Sequence, residues 1–197
     1  MNWKKWLVPG IIILTIVIVI IWVISIYNRM ISREQMVIAQ WAQVENVYQR
    51  RADLIPNLVN TVKGYADFEK STITEVIEAR AKATSVNINP QNMDAASLQQ
   101  FQQAQENLGS ALEKLMVVVE RYPELKANQN FLELQAQLEG TENRIAVERK
   151  RFVEATMQYN ILIKRFPNNL FAGMFGFKEK PTFEATKGTE KPPIVEF

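Results

Sequence analysis

The sequence predicts an all-α protein in which a single N-terminal transmembrane helix leads into an antiparallel up-and-down four-helix bundle. Three observations carry that prediction. Residues 7–27 read LVPGIIILTIVIVIIWVISIY, 21 residues without a charge. From residue 31 onward apolar residues recur at steps of three and four. Glycine and proline number only 7 and 8 in 197 residues, too few for a loop-rich all-β chain.

The uncharged run comes first. At 1.5 Å per residue it makes roughly 30 Å of helix, the thickness of a bilayer core. Ile and Val dominate it, and Trp3, Trp6 and Tyr27 stand at its two edges, where amphipathic rings settle at the headgroups. A cleaved signal peptide would have a shorter apolar stretch followed by small residues. Here Tyr27, Asn28 and Arg29 follow instead, so an uncleaved anchor over residues 1–30 is predicted. Lys4 and Lys5 on one side nearly balance Arg29 and Arg33 on the other, which leaves the side of the soluble domain open.

The bundle is predicted over residues 31–167. Its first helix carries Trp41, Val44, Tyr48, Arg51, Ile55, Leu58, Val62 and Tyr65 along one seam, and nothing between Tyr27 and Trp41 breaks the helix as it leaves the anchor. Pro56 should kink it or loosen its hydrogen bonding, and Gly64 weakens its end. A second helix is expected from residue 68 to 84 with Ile73, Val76 and Ile77 inward, followed by the loop SVNINPQNMD. The third starts with Asp94 or Ser97 as N-cap, buries Leu98, Phe101, Leu108, Leu112, Leu115, Val119 and Tyr122, and stops at Pro123. The fourth has the cleanest period. Phe131, Leu138, Ile145, Phe152, Tyr159 and Phe166 recur every seven residues, with Leu134, Thr141, Glu148, Ala155 and Leu162 in companion positions, a coiled-coil-like pattern that Pro167 ends. A Phe-rich segment, residues 168–183, follows, and then a polar tail, residues 184–197, that is expected to be disordered.

Composition removes much of ordinary catalysis. Cysteine and histidine are both absent, which excludes disulfides, thiolate metal sites, the Ser-His-Asp triad and the usual zinc and di-iron motifs. No glycine-rich phosphate loop is present, and no cofactor or metal site is expected. The net charge of +2 belongs to the anchor. Taking away residues 1–30 removes three of the 23 basic residues and none of the 21 acidic ones, leaving −1, so no nucleic-acid partner is indicated. The basic clusters Arg50-Arg51 and Arg149-Lys150-Arg151 are diluted by neighbouring acids and read as solvated helix faces. Ser110 and Lys114 share a helix face, and Glu139 with Glu142 or Glu75 with Glu78 supply paired carboxylates, but these spacings are commonplace. No catalytic residue is assigned.

Two features remain. Arg51 and Glu148 interrupt opposing apolar seams near mid-length and are expected to form a buried, structural polar pair. If the fourth helix runs antiparallel to the first, Leu170, Phe171, Met174, Phe175 and Phe177 arrive near the bilayer. They would then contact lipid, a second copy of the chain, or the end of the bundle.

Three blocks, WAQVENVYQRRADLIPNLVNTVKGYADFE, TENRIAVERKRFVEATMQYN and FPNNLFAGMFGF, resemble the signature of the LemA family. In the first, Asn46, Arg50, Arg51, Asp53, Ile55, Pro56 and Asn57 match residue by residue. The resemblance implies a bacterial helical bundle anchored in the cell (cytoplasmic) membrane and without known catalytic residues. Its relatives include a magnetosome-membrane protein involved in vesicle formation, and family members are often encoded near an integral-membrane zinc protease. The expected function is therefore a non-enzymatic membrane scaffold that forms homo-oligomers, with an adaptor for a membrane quality-control protease as the alternative.

Overall fold

A computed structural model describes residues 4–64 and 69–183, with side chains from residue 9 onward. The expectations for Trp3, Tyr65, Phe68, the Trp6 side chain and the tail 184–197 fall outside that range. The described chain is helical and contains no strand. It runs α1 (Lys4–Lys63), α2 (Lys70–Ser85), α3 (Ala95–Val119), α4 (Pro123–Lys126), α5 (Gln129–Lys164) and α6 (Asn168–Phe175).

Helix α1 is a single helix of 60 residues that passes through Pro9 and Pro56 without ending. It is the one described helix long and apolar enough to cross a membrane. A core helix of a soluble protein would hide such a run. Here Ile11 is 62% exposed and Ile24 53%, which fits a lipid-facing surface. At Ile26 and Met30 the character changes, and from there on a buried or half-buried residue recurs every third or fourth position.

The helices pair antiparallel. On α1 and α5, Arg33 meets Gln158, Gln40 meets Glu148 and Arg51 meets Glu142, so one index falls as the other rises. On α2 and α3, Glu75 meets Lys114 and Glu69 meets Arg121. One apolar core joins α1, α2, α3 and α5 at the end away from the anchor, around Ile55, Leu58, Leu108, Leu115 and Phe131. A second, aromatic core lies on the anchor side, around Trp41, Phe101, Phe152 and Tyr159.

The caps explain where α3 and α5 begin. Asp94 accepts a hydrogen bond from the Ser97 backbone N–H at 2.7 Å, and the Ser97 hydroxyl returns the contact, so both N-cap candidates act together. Asn128 caps α5 through the Phe131 N–H.

Three local expectations are corrected. Helix α3 ends at Val119, leaving Tyr122 half-buried, and Pro123 opens α4 in the first-turn position that tolerates a missing N–H. Ile77 is exposed, because α2 turns Thr72, Ile73, Val76 and Ala83 inward. Phe166 continues the heptad arithmetic but lies beyond the last turn of α5 and is 75% exposed.

Candidate functional site

The chain reverses direction at the anchor end. Helix α5 descends beside α1, Ile163 joins the cluster of Ile26 and Met30, and residues 165–167 turn the chain into α6. Asn168 closes the turn by donating from Nδ2 to the Leu162 carbonyl at 3.0 Å. Helix α6 then lies against the end of the apolar run. Phe171 meets Trp22 edge-on at 5.8 Å, and Phe175 and Phe177 meet Tyr27 at 5.0 and 5.8 Å. Gly176 stops the helix with a φ of 79°, a left-handed cap that favours glycine.

Of the five residues expected at this surface, Phe171 and Phe177 are half-buried against α1 and Phe175 is 40% exposed. Leu170 and Met174 face outward, and Phe166 joins them.

Beyond Gly176 the chain climbs back along the helical domain as an extended strap, residues 177–183. Lys178 presents its carbonyl to the Tyr159 hydroxyl at 2.9 Å, and Lys180 exchanges backbone hydrogen bonds with the Asn160 amide. The Lys180 side chain is only 5% exposed. It reaches Glu34 at 3.1 Å and the carbonyls of Pro90 and Gln91. These partners offset the desolvation of a buried cation. Phe183 ends the strap over Trp41 and Phe152, with the Arg149 guanidinium 4.4 Å from its ring centroid. No periodicity marks these residues, so Lys180 and the strap were invisible to sequence reasoning.

Burial and the nearby Glu34 carboxylate push the Tyr159 phenol up to about 12. Between the ordinary value of 10.0 and about 12 the unfolded chain loses this proton while the folded chain keeps it. Stability is therefore complete below pH 10 and falls as pH rises through that window. Tyr159→Phe should flatten part of the alkaline loss while lowering neutral-pH stability by about 1 kcal/mol, the worth of one hydrogen bond. Thermal unfolding in detergent at pH 7 to 11 checks both effects.

The second polar feature is Arg51, where the expected pairing is corrected. Its Nη1 lies 2.8 Å from Glu142, and its Nη2 donates to the Gln105 side-chain and backbone oxygens. Glu148 instead accepts from Gln40 at 2.7 Å and from Arg151 at 2.8 Å. Arg51 borders a cleft of about 310 Å³ that Tyr48, Gln105, Glu142 and Arg149 also line. Burial raises the Tyr48 hydroxyl above its ordinary range, against the pull of Arg149 and Arg51.

The Ser110–Lys114 pair does not form a nucleophile and base among the described residues. Lys114 is turned to Glu75 on α2 at 2.6 Å, and Ser110 is solvent-exposed. The arrangement can hold helices in register and present an apolar end, which are physical tasks.

The family model described as the LemA family matches residues 40–197. The chain belongs to the LemA family. Among curated proteins it is similar to magnetosome protein MamQ 1 and MamQ 2 of Paramagnetospirillum magneticum, each 26% identical over 93% of this chain and 74% of the relative. It is also similar to magnetosome protein MamQ of Magnetospirillum gryphiswaldense, at 25% identity over the same shares. Family membership and the exposed apolar helix are together compatible with a membrane-associated protein held by an N-terminal anchor. The names of these relatives state no reaction.

Proposed function

We propose that this LemA-family protein is a non-enzymatic, single-pass membrane scaffold whose helical domain, an antiparallel four-helix bundle with coiled-coil-like seams, associates into homo-oligomers and so organises or shapes the membrane around it. The observation that carries the reading is the continuity of α1 from the apolar run into the aromatic core. A flexible linker would let the domain tumble. An unbroken helix passes the orientation of the domain to the anchor, so neighbouring domains that pack together tilt and cluster their anchors. In this reading an uncleaved N-terminal anchor holds the protein in the bacterial cytoplasmic membrane, and the exposed apolar run of α1 supports it. The magnetosome relatives are named for a cellular structure and not for a reaction, which accords with a structural role.

Subunit counting by photobleaching of a fluorescently tagged full-length chain in native membranes tests this. Clusters of several copies with mostly self-contacts on crosslinking are expected. Single copies, each crosslinked to a stoichiometric foreign membrane protein such as a quality-control protease, would replace the scaffold with an adaptor.

A further inference from the structure

We propose that the α5–α6 turn and the outer face of α6 form an apolar wedge that enters one lipid leaflet beside the anchor. The inference rests on reading residues 7–27 as a membrane span.

Phe166, Leu170 and Met174 recur every four residues and are 75%, 63% and 69% exposed, although each is large and apolar. Such a stripe on a water-facing surface would be a liability. Its depth says what covers it. The inner face of α6 is pinned to α1 at Trp22 through Phe171 and at Tyr27 through Phe175, so α6 starts deepest and rises toward the headgroups. Trp22 lies five residues below Tyr27, about 7.5 Å along the helix axis. That is the depth at which amphipathic helices bury their apolar face in the boundary between headgroups and acyl chains. A protein partner on this stripe would itself have to sit within the bilayer, whereas lipid is already there.

The polar residues fit the same level. Arg29, Arg165 and Lys178 are exposed around the turn, and their long stems let the charges reach phosphates while the stripe stays in the acyl region. The Asn168 amide spends one of its two N–H donors on the Leu162 carbonyl, which lowers the cost of carrying it into lipid. Because α6 occupies one leaflet only, each subunit adds volume asymmetrically.

The chain contains no cysteine, so single cysteines can be labelled without background. Nitroxide labels at Leu170→Cys and Met174→Cys are compared with Ile18→Cys in the span and Val117→Cys on α3. The full chain is reconstituted in phosphatidylcholine–phosphatidylglycerol vesicles, and power saturation is measured with oxygen and with a nickel chelate. The proposal predicts that labels at 170 and 174 favour oxygen over nickel as the label at 18 does, with the order reversed at 117. Ratios at 170 and 174 that match 117 would overturn it. Exclusion of both reagents together with spin–spin broadening would also overturn it, in favour of a second copy on this face. A label at 18 that nickel reaches would instead bring down the membrane-span reading. Subunit counting in the same vesicles remains a separate test of the scaffold.

Discussion

Trp41→Ala should lower the stability of the helical domain by about 3–5 kcal/mol, a large share of the total for an ordinary domain. Trp41 is fully buried, and its ring meets Phe101 at 5.2 Å, Phe152 at 5.3 Å and Phe183 at 6.1 Å. Truncation would open a cavity among three rings that cannot collapse together, because they come from α3, α5 and the strap. The strap should loosen as well, since Phe183 loses half of its platform. Urea unfolding of the full chain in mild detergent, followed by far-ultraviolet circular dichroism, gives the stability. Faster proteolysis between residues 176 and 183 reads the strap. Trp22→Ala is the control. That ring is 47% exposed and should change the unfolding midpoint little.

Arg51→Ala should cost about 2–3 kcal/mol. The figure lies below the usual penalty for breaking a buried ion pair because Glu142 is 62% exposed and is readily hydrated once abandoned. What stays behind is Gln105, itself buried, whose side-chain oxygen loses its donor. Glu142→Ala should cost only about 1 kcal/mol, since Gln105 still holds the guanidinium and the adjoining cleft admits water. A double-mutant cycle separates the two candidate partners. Arg51 and Glu142 should couple, whereas Arg51 and Glu148 should add within about 0.5 kcal/mol.

That contrast shows what the sequence made legible. The inward seams of α1, α3 and α5 follow from helical spacing alone, because burial of one face repeats with the helix period. Trp41, Val44, Tyr48, Ile55 and Leu58 are buried as the spacing requires, and so are Phe131, Leu138, Ile145, Phe152 and Tyr159. Periodicity gives the face of a residue but not its level against a neighbouring helix. Eleven residue steps along α1, from Gln40 to Arg51, match only six along α5, from Glu148 to Glu142, because long polar side chains reach up and down the axis. The sequence therefore identified Arg51 as unusual and misassigned its partner.

Phe166 shows the converse failure. Its heptad position is correct arithmetically, yet the helix has already ended, and a register means nothing without backbone to carry it. That the Phe-rich segment would return to the end of the apolar run of α1 was legible only through the antiparallel return of α5. Which of its faces turns inward depended on Trp22 and Tyr27, residues more than 140 positions away. Lys180 lay beyond reach altogether, since an extended strap held by carbonyls and a distant glutamate leaves no period to read.

Everything proposed for the membrane depends on α1 being one stiff helix through the bilayer boundary. Hydrogen–deuterium exchange of the full chain in phospholipid vesicles, resolved over residues 28–40, tests this most directly. The backbone amides there should be as slow as those of residues 41–55, because each donates within an unbroken helix and Met30 and Val37 anchor the segment in the core. Exchange over residues 28–36 at the rate of an open chain would contradict it, leaving a domain merely tethered to its anchor.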